Sequence, residues 1–234
     1  MSRSDPFSGL EARLQSIRDR VEAAARRSGR TPESVRLIAV SKRQPVEAIR
    51  RAYAAGQRDF GENQVQEAEG KRPILPDDVV WHLLGPLQSN KSARAADLFA
   101  CFHALDRAKI ARRLDRHAAE AGRRLDVFAE INLGAESSKH GLLPDRLETD
   151  LRPLADLRHL RWLGLMAIPP RDDTPRRWFE RLARLRDRVA TWPEWSEFGG
   201  RLSMGMSADF DEAIACGATE VRVGTEIFGP RPPA

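Results

Sequence analysis

The sequence predicts an α/β fold, a TIM-like (β/α)8 barrel with an additional N-terminal helix. Two observations carry that expectation. Short apolar runs, roughly eight of them, alternate with stretches of helical periodicity, the pattern of repeated βα units around a parallel sheet. No Gly/Ser-rich linker or repeated motif divides the chain. An open sheet is the competing arrangement, and the weaker runs do not exclude it. At 234 residues the polypeptide can bury about 70% of its unfolded surface, so a single domain over 1–234 is expected, with flexible ends at 1–6 and 230–234.

In order along the chain, residues 7–28 carry Phe7, Leu10, Leu14, Ile17, Val21 and Ala24 at helical spacing, and Gly29 stops the helix. Leu37 to Val40 is too short for a helix and rich in branched residues, which predicts a buried strand. Pro45 then suits the first turn of a helix whose packing face is Ala48, Ile49, Ala52 and Tyr53. Arg58 to Gly61 is a weaker strand, followed by Glu62, Asn63 and a short polar helix. Val79 to Leu84 makes a third strand, ended by Gly85-Pro86. Leu98 to Leu105 is the fourth, with Asp106 as the cap of a helix reaching Ala121. Asp126 to Leu133 is the fifth. Pro144 opens a helix with Leu147, Leu151 and Leu154 on one face, which Pro153 should kink or shorten. Residues 161–168 form the sixth strand, and Thr174-Pro175 starts a helix packing Trp178, Leu182, Leu185 and Val189. Arg201 to Met204, a helix over Ala208 to Ala215, and the strand Glu220 to Val223 complete the set.

Composition narrows the function classes. Apolar residues at 41% and charged residues at 31% describe a globular chain rather than a disordered or fibrous one. The net charge of +5 favours anions only modestly, and no dense basic, aromatic-rich segment argues for nucleic acid. The N-terminus lacks a secretory apolar run and no stretch approaches a membrane span, so a cytoplasmic protein with no membrane partner is expected. Cys101 and Cys216 lack Cys-x-x-Cys spacing and are read as reduced and buried. The five histidines have no metal-ligand spacing, so no metal is expected, even where His82, His103 and Cys101 lie near one another in sequence.

The chemistry gathers where strands open into loops. Lys42 follows the first strand directly, and its amine could stay an exposed charge or form a Schiff base with an aldehyde cofactor. Barrel closure would bring Gly224 and Thr225 beside Lys42, and Ser207 from the loop after the seventh strand. A capping Ser207, neighbouring amides and the Gly224-Thr225 turn together suit a phosphate, although each piece alone reads as an ordinary cap or turn. Arg222 could approach a pyridine nitrogen, where a guanidinium cannot accept a proton, or could pair with Glu220 or Glu226 at the rim. Asn63 and His82 lie near other strand ends and could orient the same ligand, or His82 could be a core histidine.

One ordered set of motifs is far more specific than its parts. It comprises Ala39-Val40-Ser41-Lys42 with Pro45, Phe60-Gly61-Glu62-Asn63, His82 followed by Gly85-Pro86-Leu87-Gln88-Ser89-Asn90-Lys91, and Ile131-Asn132 with Glu136, Lys139 and Gly141. It continues through Gly164-Leu165-Met166, Met204-Gly205-Met206-Ser207 and Arg222-Val223-Gly224-Thr225 before Ile227-Phe228-Gly229. On these residues the chain resembles the YggS/PROSC family, the pyridoxal phosphate homeostasis proteins, over almost its whole length. The resemblance implies a barrel like the N-terminal domain of alanine racemases, with pyridoxal 5′-phosphate on Lys42. It implies phosphate contacts from Ser207, Gly224 and Thr225, Arg222 at the ring nitrogen, and Asn63, His82, Ser203 and Met204 around the rest of the pocket. Gln64 stands where the family often carries an aromatic residue. Lys91 and Lys139 are open between anion contacts and ordinary loop lysines.

The function so implied is cofactor binding for vitamin B6 homeostasis without robust turnover; the alternative is a weak pyridoxal phosphate-dependent racemase or related amino-acid enzyme. A two-base racemase needs a second proton-transfer group, which in alanine racemases is a tyrosine from another domain. The sole tyrosine here, Tyr53, is assigned to a helix face, and the chain ends soon after the eighth strand. The partners implied are small amines and pyridoxal phosphate-dependent apoenzymes, with a monomer permitted.

Overall fold

The computed structural model describes residues 7–170 and 174–230; the ends expected to be flexible lie outside them apart from Pro230. The eight strands are β1 (Arg36–Val40), β2 (Asp59–Glu62), β3 (Val80–Leu83), β4 (Cys101–Leu105), β5 (Leu125–Glu130), β6 (Leu160–Met166), β7 (Arg201–Ser203) and β8 (Glu220–Val223). They close in sequence order into a barrel. Every neighbouring pair is parallel. The closing pair sets Ile38 against Arg222 and Ala39 against Val223, which places the end of β1 beside the end of β8.

Nine helices connect or flank the strands: α1 (Leu10–Arg27), α2 (Val46–Ala54), α3 (Val65–Lys71), α4 (Ser92–Leu98), α5 (Ala108–Glu120), α6 (Leu147–Asp150), α7 (Pro175–Ala190), α8 (Phe210–Ala215) and α9 (Thr225–Phe228), counted among the described residues. α1 is the extra N-terminal helix. It buries Leu10, Leu14, Ile17, Val21, Ala24 and Ala25 and packs on α8, α9 and α2. Arg13 donates to the Ile227 carbonyl and Arg30 to the Ala218 carbonyl, so the start of the chain is tied to its last βα unit.

The principal core is the layer between the barrel's outer face and its helices. A second apolar group, Cys101, Ala104, Phe128, Leu163 and Met166, is separate from it. It lies inside the barrel with His82, His103, Ser203 and Arg222; Cys101 with Ala104, and Leu163 with Met166, share that side because the strand registers shift in β4–β5 and β5–β6. Barrel interiors are ordinarily filled by branched aliphatic residues, so a polar interior marks a place where packing has been given up for something else. Gly164 shows how tight the wall is: a Cβ there would fall 1.8 Å from the Arg201 carbonyl oxygen.

Several boundaries differ from expectation. Leu98 closes α4 instead of opening β4, because the apolar run continues across the turn at Phe99, whose amide still bonds to the Ala95 carbonyl. The helix expected from Pro144 is a single α-turn between two 3-10 turns, broken where Pro153 lacks a donor, yet Leu147, Leu151 and Leu154 remain buried. On α7 the core position belongs to Phe179, and Trp178 is only half-buried. Ser207 does not cap α8: Asp209 holds that position, and its Oδ1 accepts from the Met206 amide at 2.6 Å. Cys101 is buried while Cys216 is half-buried, and both are free thiols.

Candidate functional site

β1 ends at the barrel mouth, and Lys42 stands two residues beyond it in a loop held from below. Arg43 takes φ +60, an unusual value for a residue with a side chain. Three side chains hold that backbone. Ser41 donates through Oγ to Glu62 Oε1 at 2.6 Å. The buried Lys71 donates to the Ser41 carbonyl at 2.9 Å and to Glu62 and Glu67, each at 2.7 Å. Glu67 in turn accepts from the Arg43 amide. Burial pushes the Glu62 carboxyl up to about 7, against the pull of Lys71 and Ser41. The Lys42 loop is therefore fastened to β2 and α3 by a buried ionic cluster.

A pocket of about 310 Å³ opens at this mouth, and Lys42, Asn63, Ser207, Arg222, Gly224 and Thr225 line it. Residues from β1, β2, β7 and β8 connections thus meet at one place, as the closing register requires. Val40, Leu84, Ile168 and Met206 supply apolar wall, and Ile168 and Met206 are exposed at the entrance. Gly224 packs against β1, where an added Cβ would meet the Val40 carbonyl oxygen at 3.1 Å, so a larger residue would push the turn before α9 a few tenths of an ångström away from β1.

Arg222 is 5% exposed and spans two environments. It contributes to the pocket wall while donating to Ser203 Oγ at 2.7 Å and to the Ala167 carbonyl at 3.1 Å. Burial lowers its guanidinium to about 10, still a cation at neutral pH. The alternative rim pairings do not form: Glu220 pairs with Arg201, and Glu226 with Arg20.

Three expected pocket residues lie elsewhere. Ser203 and His82 sit one layer beneath it in the barrel interior. Met204 is wholly buried in the layer between barrel and helices, because the alternation of β7 turns it away from the interior where it turns Ser203 toward it. Lys139 donates to the Pro169 carbonyl and pairs with Glu136. The loop it belongs to is knitted by Asn132, whose side chain bonds the backbone of Glu136 and Lys139. Lys91 lines a separate rim pocket with Arg107 and His140. Tyr53 donates to Asp78 and lies under the Arg58 guanidinium; Arg58 and Asp78 precede β2 and β3, so this cluster is at the barrel floor, opposite Lys42.

Sequence reasoning missed several polar groups. Glu130, at the end of β5, buries an oxygen with no hydrogen-bond partner among the described residues, as does Asp106. Burial foremost, with Asp106 adding, raises the Glu130 carboxyl to about 7. His82, Cys101 and His103 come close enough to hold a metal ion. Each imidazole nitrogen, however, already has a protein partner, and burial holds the Cys101 thiol well above its ordinary range, in its protonated, non-ligating form. Among the described residues no helix is long and apolar enough to cross a membrane.

Comparison with known proteins follows the same outline. Residues 12–232 match the family described as alanine racemase, N-terminal domain. The chain is 43% identical over 223 residues to the pyridoxal phosphate homeostasis protein of Escherichia coli, spanning 93% of this chain and 95% of that one. It is similar to the solved structure of PipY from Synechococcus elongatus with PLP bound, at 40% identity and a TM-score of 0.81 over 94% of this chain and all of that one. An alanine racemase of Clostridium difficile shares the fold, with a TM-score of 0.72 at 13% identity over 95% of this chain and 58% of the racemase. A family model spanning nearly the whole chain and a full-length relative at this identity lead to one conclusion: the chain belongs to the alanine racemase N-terminal domain family and, within it, to the pyridoxal phosphate homeostasis proteins.

Proposed function

We propose that this protein binds pyridoxal 5′-phosphate for vitamin B6 homeostasis, with Lys42 as a reversible covalent anchor, and that it retains and delivers the cofactor without robust substrate turnover. The observation that carries the reading is the convergence of a lysine amine, two hydroxyls, a glycine turn and a donor-only guanidinium on one pocket. The names of the relatives support it, since one is a homeostasis protein and another was solved with PLP bound.

When bound, the cofactor supplies an aldehyde that condenses reversibly with primary amines. The residues here fit it. Lys42 presents the amine at the strand end, while the Ser207 and Thr225 hydroxyls and the backbone at Gly224 suit the phosphate. Arg222 can donate to a ring nitrogen but cannot accept a proton from one, so it favours the unprotonated ring, the weaker electron sink. That choice suits retention better than carbanion chemistry. Tyr53, the only tyrosine, sits at the floor with Asp78 and cannot serve as a second base at the mouth. Small amines entering past Ile168 and Met206 would compete with Lys42, which gives a route for release to apoenzymes.

Borohydride reduction of the loaded protein followed by peptide mass spectrometry tests the anchor. The adduct is expected on Lys42; consistent modification of Lys91 or Lys139 instead would overturn the assignment. Interconversion of amino-acid enantiomers at substoichiometric protein, lost in Lys42→Ala, would replace the carrier reading with a racemase.

A further inference from the structure

Below the pocket, five polar side chains form an unbroken string through the barrel interior. Arg222 Nη1 is 2.7 Å from Ser203 Oγ, Ser203 Oγ is 2.8 Å from His103 Nδ1, His103 Nε2 is 3.0 Å from His82 Nδ1, and His82 Nε2 is 2.9 Å from Asp59 Oδ1. β8, β7, β4, β3 and β2 each contribute one residue, so the string crosses from the mouth to the floor, where Arg36 pairs with Asp59. His103 also stacks on Phe128, with ring centroids 4.7 Å apart. His82, His103, Ser203 and Arg222 are all buried.

The two ends dictate the direction of every bond. Arg222 can only donate and a carboxylate at Asp59 can only accept. Ser203 therefore accepts from Arg222 and gives its own proton to His103 Nδ1, which leaves the His103 proton on Nε2 to be given to His82 Nδ1. His82 then keeps its proton on Nε2 and donates to Asp59. The opposite order would set a bare imidazole nitrogen against a carboxylate oxygen and strand the Ser203 proton in a buried site. One tautomer is allowed at each ring, and both rings are neutral. Burial agrees in direction, disfavouring charge on both; Asp59 favours a cation at His82, while the guanidiniums of Arg36 on β1, Arg201 on β7 and, toward His103, Arg222 on β8 oppose one.

We propose that Ser203, His103, His82 and Asp59 are positioning residues for Arg222: a one-way hydrogen-bond relay that roots the pocket's guanidinium in the ion pair at the barrel floor. Anchored this way, Arg222 presents its remaining donors to a ligand at a fixed place and cannot turn to pair with a carboxylate at the rim. The use of that donor toward a pyridine nitrogen rests on the function proposed above; the relay does not.

The test separates the two. Two-bond proton–nitrogen spectra of the histidine rings in the unloaded protein should show His82 and His103 neutral and protonated at Nε2 between about pH 5.5 and 8.5, around the ordinary histidine value. Asp59→Asn leaves an acceptor at the far end but removes its charge, so the direction persists while the polarisation passed from bond to bond weakens. Its ring signals should change at His103, two links away, as well as at His82. Should that variant not fold, Ser203→Ala cuts the string from the other end and should change the signals of His82 without touching it. Either variant should also weaken pyridoxal phosphate retention about five-fold, the size of one lost hydrogen bond. A doubly protonated or Nδ1-protonated ring in the native protein, or His103 signals unmoved by Asp59→Asn, would overturn the relay. Signal changes that propagate as described in a protein that does not bind the cofactor would uphold the relay and sink the binding function.

Discussion

Lys71→Met tests whether the ionic cluster under Lys42 holds that loop. Lys71 is almost wholly buried and pairs with Glu62, which has no exposure at all. Methionine fills similar volume but strands the carboxylate, and breaking a buried pair in this way costs about 3–5 kcal/mol. Glu62 has an escape, because its folded pKa is already raised to about 7 and losing Lys71 raises it further. A carboxyl raised on folding contributes stability that is present below its unfolded pKa and lost as pH rises through the folded value. At pH 5 Glu62 is therefore protonated in both proteins, and the variant lacks the bonds from Lys71 to Ser41, to Glu67 and to a neutral Glu62, about 1–3 kcal/mol. At pH 8 the deficit should grow by up to about 1.4 kcal/mol, because pH 8 lies about one unit above the native Glu62 value while the variant keeps its proton. Urea unfolding at the two pH values measures it, and adding Glu62→Gln should recover most of the loss at pH 8. A deficit of equal size at both would refute the reasoning, as would a double variant no more stable than the single one.

Other perturbations address the pocket. Lys42→Ala should lose the near-visible absorbance that loaded protein acquires with pyridoxal phosphate; an unchanged spectrum removes Lys42 as the anchor. Ser207→Ala and Thr225→Ala should each weaken retention in equilibrium dialysis by roughly five-fold, the worth of about 1 kcal/mol of hydrogen bonding. Unchanged retention in both would place the phosphate elsewhere. Tyr53→Phe should leave both spectrum and retention as they are, since its hydroxyl faces Asp78 at the floor, and a loss of binding would contradict that placement.

What the sequence revealed and what it hid divide along one physical line. The eight strands and the pocket's Lys42, Gly224 and Thr225 are announced by local signals, because an apolar run and its terminating residue are contiguous. Where the apolar run outlasts the element, the boundary disappears, as at Leu98 and Phe99. Where two aromatic residues adjoin, the helical face is ambiguous by one position, and Phe179 takes the place expected of Trp178. Ser41, Glu62 and Lys71 meet across tens of residues, and His103 reaches Ser203 across a hundred, so no spacing rule could pair them. A signal was nevertheless present. His82, Cys101 and His103 interrupt otherwise apolar strands at inward-facing positions, where a purely structural barrel would place valine or isoleucine.

Glu130 is the same kind of interruption left without a partner. Its carboxyl is raised to about 7 by burial first, then by Asp106, with Arg222 opposing, and one of its oxygens is buried and unbonded. By the same sign rule, Glu130 stabilises the fold while it keeps its proton, and that contribution fades as pH rises through about 7. Glu130→Gln preserves shape and removes the titration. The variant should match or fall slightly below the native protein at pH 5 and exceed it at pH 8, since each pH unit between the unfolded and folded values is worth up to about 1.4 kcal/mol. Urea midpoints from pH 5 to pH 9 would trace this, and parallel curves for the two proteins would show that Glu130 is not the group responsible. A buried acid that weakens the fold near neutral pH, close enough to Arg222 to be felt by it, has no packing reason to be there. A more stable but less retentive Glu130→Gln protein would tie that cost to the pocket.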